Sequence, residues 1–171
     1  MTLPAWRRQA GAAVTAACAL VLLGAPVGLI WGALAPRLDF VVTAGGQGLD
    51  LVNPESEALV AADGYFVFIT AVVGIACGIL AYRIGRLRYG PGLVAGLAAG
   101  GLGAAAVAAQ VGRRLYLPGF HHAETAVAAG HHVLLYVSVR AQPALFVWGF
   151  AAALGYGLLV AIFEREPIRR T

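Results

Sequence analysis

Four long stretches without an ionisable carboxylate, imidazole or cation dominate the sequence, and a chain built this way folds only where apolar surface needs no covering from solvent. Residues 10–34 contain no Asp, Glu, His, Lys or Arg. At about 1.5 Å per residue, a helix of about 25 residues is longer than the roughly 30 Å hydrocarbon layer of a bilayer. Similar runs cover about 64–82, 90–112 and 143–163. With 60% hydrophobic and 12% charged residues, the 171-residue chain has too little polar surface to solvate a globule. The expected fold is an all-α membrane protein: one membrane domain with four transmembrane helices, outer loops at 35–63 and 113–142, and an inner loop at 83–89.

The start of the chain also resembles a secretory signal, with Arg7 and Arg8 ahead of an apolar run and Ala33-Leu34-Ala35 in the style of a cleavage site. A signal core is only about 7–15 residues long, and Pro36 would follow the cut, so an uncleaved first helix is expected. "WRRQA" offers a twin-arginine signal nothing beyond the arginine pair, and "VTAAC" is a poor lipobox because Thr15 stands where Leu is usual.

All 12 basic residues are arginine, and their placement sets an orientation. Arg7, Arg8, Arg83, Arg86, Arg88 and the C-terminal Arg165, Arg169 and Arg170 fall on one side of the spans; Arg37, Arg113, Arg114 and Arg140 fall on the other. Both termini are therefore expected in the cytoplasm. Trp6, Tyr82 and Tyr89 would mark the inner boundary, and Trp31, Tyr65, Tyr116 and Trp148 the outer one. Charges this sparse leave no nucleic-acid footprint.

Glycine recurs every four residues as Gly24, Gly28 and Gly32, as Gly74 and Gly78, and as Gly92, Gly96 and Gly100. Such faces allow backbones to approach closely, either inside the bundle or between copies; their presence on several helices favours the bundle. Pro26 is expected to kink or loosen the first helix. Cys18 and Cys77, in the inner halves of their spans, read as buried, reduced residues rather than a disulfide.

The first outer loop holds two β-prone runs, 40–43 and 49–52, around the turn-rich "AGGQG", the pattern of a hairpin. Asn53 is a good N-cap and Pro54 suits the first helical position; Glu55 and Glu57 meet the positive end of the dipole, so a helix should start there and lead into the second span, with a break at Gly64. Residues 133–139 should be extended, and their length allows them to join the hairpin as a small extracytoplasmic β cap.

Two polar groupings are candidate sites. Asp63, Arg113, Arg114 and Arg140 lie near one membrane boundary; a carboxylate there needs hydration or a partner, so Asp63 is expected to pair with one of these arginines. The cluster then serves as an interfacial clamp between helices, or else as an ion or anionic-lipid site. The second grouping, "HHAETAVAAGHH", contains His121, His122, Glu124, His131 and His132. On one helix, His121 and His132 would lie about 16 Å apart along the axis, too far for one ion. His121 and Glu124 alone fall short of the three or four ligands that zinc takes from protein. Only a fold-back at Gly130 would gather these side chains, so no metal is expected, and they form the ligand set of the alternative reading.

No Asp, Glu, His, Lys or Arg lies in the central part of any span, whereas ion-coupled transporters use such groups near the midplane. The chain also lacks a nucleophile elbow, a phosphate-binding loop, HExxH and CxxCH. No catalytic residue, no cofactor and no enzyme activity are expected. "APVGLIWGALAP", "NPESEALVAADGYF" and "VRAQPALFVWG" together resemble an actinobacterial family of small four-helix integral membrane proteins of unknown function. The resemblance spans nearly the whole chain in layout, with 53–66 the distinctive motif; it implies this topology and a bacterial membrane, and transfers no chemistry. The reading is a non-enzymatic accessory or scaffold subunit of a larger envelope or transport complex, held in the lipid bilayer with a membrane-protein partner or a second copy of itself. The alternative is a small transporter or metal-responsive protein using the histidine loop.

Overall fold

A computed structural model describes residues 4–42, 49–52, 57–85, 90–126, 132–135 and 139–163. They form α1 (Ala5–Leu34), β1 (Leu38–Val42), β2 (Leu49–Leu51), α2 (Glu57–Gly85), α3 (Gly90–Ala126), β3 (His132–Leu135) and α4 (Leu145–Phe163), the last entered through a 3-10 turn at Gln142–Ala144. Four helical segments are long and apolar enough to cross a membrane: Trp6–Leu34, Val60–Ile84, Pro91–Arg114 and Gln142–Phe163. In hydrocarbon every backbone N–H and C=O must be satisfied within the segment, which is why these runs are helical despite their many glycines.

The helices are longer than expected. Whereas a break was expected at Gly64, α2 passes through it unbroken, and α1 is continuous through Pro26. The third helix does not stop near Gly112 but continues through Arg113 to Ala126, so the front of the expected second outer loop is helix. Pro118 lies within it, beyond the segment Pro91–Arg114 that is apolar enough to cross a membrane, where water can take the carbonyl that proline leaves unbonded. Ala35 turns extended ahead of Pro36 and ends α1.

Glycine sets the packing. A Cβ on Gly96 would stand 2.5 Å from the carbonyl oxygen of Ala13, and one on Gly100 2.5 Å from Cα of Ala17. Further along, Gly24 meets Ala104 and Gly28 meets Ala108. Numbers rise together on both helices, so α1 and α3 run parallel in backbone contact. The second pair, α2 and α4, does the same, with Gly74 against Trp148 and Gly78 against Ala152. Gly101 and Gly149 join the two pairs where α3 meets α4. Contact between α1 and α2 is much smaller. The glycine faces are thus occupied inside the bundle.

Aromatic placement needs correction. Trp31 and Trp148 are fully buried and Tyr82 nearly so, while Trp6 and Tyr65 are exposed as boundary residues should be. Cys18 is exposed rather than buried, Cys77 is half-buried, and both are free.

The strands form one antiparallel sheet in the order β2-β1-β3. Phe40 pairs with Leu51 on one side and with Val133 on the other. Val139, expected as the end of an extended run, belongs to no strand. The "AGGQG" turn and the Asn53 cap lie outside the described residues.

Candidate functional site

All four helices converge at the end of the bundle next to the sheet. Trp31, in the last turns of α1, is held by the other helices. Its Nε1–H donates to the carbonyl of Ala62 at 3.0 Å, and its ring stands edge-on to Phe66 with centroids 5.3 Å apart. The ring fits because the residue facing it on α3 is Gly112, where any Cβ would collide with the indole. A buried indole N–H needs an acceptor, and a helix carbonyl has a second lone pair to offer.

Next to Ala62, the carboxylate of Asp63 accepts two backbone bonds: Oδ1 from the N–H of Arg140 at 3.1 Å and Oδ2 from the N–H of Ala141 at 3.0 Å. These amides immediately precede the turn that opens α4. A negative group there also meets the positive end of the α4 dipole. Asp63 is therefore a cap supplied from another helix, and with Trp31 it ties α1 to α2 and α2 to α4.

The structure thus brings Asp63 and Arg140 together, but through the backbone. The expected pairing with a guanidinium is replaced by two amides, because helix-entry N–H groups lack intrahelical acceptors and match both oxygens of one carboxylate. Arg113 and Arg114 lie exposed on α3, and the Arg140 residue is exposed. The sequence placed Trp31 at this boundary but not its burial against Phe66, and Gly112, which belongs to none of the glycine repeats, was not legible as part of this end.

His121, His122 and Glu124 lie on the final turns of α3, and His132 opens β3 opposite Val41. His131 and the side chains of the other four lie outside the described residues, so their convergence does too. Among the described residues, no three His, Cys, Asp or Glu side chains could hold a metal.

Deeper in the bundle, the buried Thr70 hydroxyl lies 2.8 Å from the carbonyl of Phe66 and 3.1 Å from that of Val67, its own helix. The Trp148 indole N–H faces the thiol of Cys77, a weak acceptor, and has no oxygen partner among the described residues. On the outside, an open apolar groove between α3 and α4 is lined by Ala98, Ala99, Leu102, Phe146, Phe150 and Ala153. None of these places combines a nucleophile with a base.

Residues 20–166 match the family described as Protein of unknown function (DUF2567). An uncharacterized protein of Mycobacterium leprae (strain TN) is 30% identical over 162 residues, covering 85% of this chain and 81% of that protein. No solved structure matches the chain.

Proposed function

The chain belongs to the DUF2567 family of proteins of unknown function, and from that premise we propose that it is a non-enzymatic integral protein of the bacterial plasma membrane, serving as an accessory or scaffold subunit of a larger envelope or transport complex. Both termini are cytoplasmic, and the sheet forms a β cap on the outer face. The observation that supports this reading best is the sealed interior. Glycine-mediated backbone contacts close the bundle, and Thr70 is the only buried polar residue among those described, satisfied within its own helix. A migrating ion would meet no carboxylate, imidazole or guanidinium in the described middle of the bundle, which weighs against transport. Because the glycine faces are occupied internally, a partner must meet the outer helix faces or the sheet.

Native mass spectrometry of the protein gently extracted from its own membrane tests this reading. The expected spectrum shows a reproducible partner mass, or a second copy, without metal. A stoichiometric metal adduct lost on His121→Ala or His132→Ala would move the function to the histidine loop, and a bare monomer would remove the scaffold role.

A further inference from the structure

Charge is divided unevenly between the two ends of this bundle. The end away from the sheet carries, by chain position, eight of the 12 arginines but only Glu164 and Glu166 of the eight carboxylates. Among its described residues Arg7, Arg8 and Arg83 are all exposed, and none of its described residues is acidic. The N-termini of α1 and α3 also lie side by side here, since a Cβ on Gly92 would come within 2.9 Å of Gln9. Neither helix has an acidic residue in its first turn, and Pro4 gives α1 no side-chain cap.

At the starts of α1 and α3 this arrangement is electrostatically unfavourable. Two parallel dipoles present their positive ends side by side, and Arg7 and Arg8 add like charge where Asp or Glu is normally found, whereas Arg83, in the last turn of α2, meets the negative end of its own helix. An anion at the membrane boundary removes the conflict. Trp6 indicates its depth: it is 68% exposed, with the Arg7 guanidinium 5.8 Å from its ring centroid. An exposed Trp beside arginines fits the headgroup layer, where the indole spans the polar boundary and the arginine stems reach outward.

We propose that the end of the bundle bearing Trp6, Arg7, Arg8 and Arg83 is a binding surface for anionic phospholipid headgroups. The phosphate sits against the arginines and the two helix N-termini while the acyl chains run down the apolar flanks of α1 and α2, so the protein selects its lipid shell on this leaflet. Each arginine near an anionic surface contributes roughly a fivefold gain in affinity.

The test uses full-length protein in nanodiscs of equal phosphatidylcholine and phosphatidylglycerol, with the lipids retained on release counted by native mass spectrometry. Wild type should retain phosphatidylglycerol over phosphatidylcholine on the order of a hundredfold, the product of three such gains. The triple variant Arg7→Gln/Arg8→Gln/Arg83→Gln should lose most of that preference, while Arg113→Gln/Arg114→Gln, at the opposite end, keeps it. The triple lysine variant should retain most of it, which separates lost charge from lost fold. Equal retention by wild type overturns the proposal, as does a preference that is undiminished in the triple glutamine variant or disappears with Arg113 and Arg114. Millimolar inorganic phosphate should leave the preference intact; displacement by it would assign the surface to a free anion instead.

Discussion

Asp63 shows how a carboxylate survives at the end of a membrane-spanning helix without a cation. Its two oxygens meet two backbone amides at 3.1 and 3.0 Å, so its partners are part of the chain at the entrance to α4. Asp63→Asn leaves one acceptor where two are used and places an amide N–H against another donor. With water close at hand, the expected loss is about 1 kcal/mol, measured as a lower midpoint in denaturant titration of the detergent-solubilised protein. Arg140→Ala should stay within about 0.5 kcal/mol, because the side chain is not what Asp63 binds. If the two variants cost the same, the guanidinium matters and the backbone account fails. Sequence alone placed Asp63 and Arg140 at one boundary but could not name the binding atoms, since position along a span fixes depth and not partner. Trp31 and Trp148 were misread for the same reason. Their depth matches a boundary, while their burial depends on neighbours far away in the chain: the Trp31 ring lies against Gly112, and the Trp148 backbone against Gly74 and Gly101.

Helices carry most of what the sequence made legible. Length and hydropathy located all four spans, because lipid rewards any uninterrupted apolar helix whatever its neighbours. The end of α3 was lost because Arg113 and Arg114 mark where an apolar span ends, not where a helix does. The glycine repeats announced close approach, and the structure adds the partners: α3 for α1 and α4 for α2. This yields a contrast within one residue type. Gly96→Ala would push a methyl into the Ala13 carbonyl and should cost about 1–3 kcal/mol. Gly64, also helical, has nothing within 4 Å of an added Cβ, so Gly64→Ala should be neutral or stabilising by up to about 1 kcal/mol. Thermal unfolding followed by circular dichroism ranks the two; equal effects would remove the glycine-contact account of the bundle.

At the scale of the molecule, the arginine-rich end and the sheet lie at opposite ends of four spans, which makes orientation a single experiment. In a Cys18→Ala/Cys77→Ala background, Gln47→Cys should react with a membrane-impermeant maleimide in intact cells, and Thr2→Cys only after lysis. The reverse pattern would invert the molecule and put the sheet in the cytoplasm. The pairing of helices also bears on how such a chain is made. The two glycine seams that involve α1 and α2 join them to helices that are not consecutive, α1 with α3 and α2 with α4, so the first two segments enter the bilayer before either has its partner. During synthesis α1 and α2 wait in the lipid with their small-residue grooves open, and the bundle closes only when α4, the last span to leave the ribosome, arrives. A stop codon or a stalled ribosome between α2 and α3 would therefore leave an inserted but unassembled hairpin, the kind of substrate that membrane proteases remove.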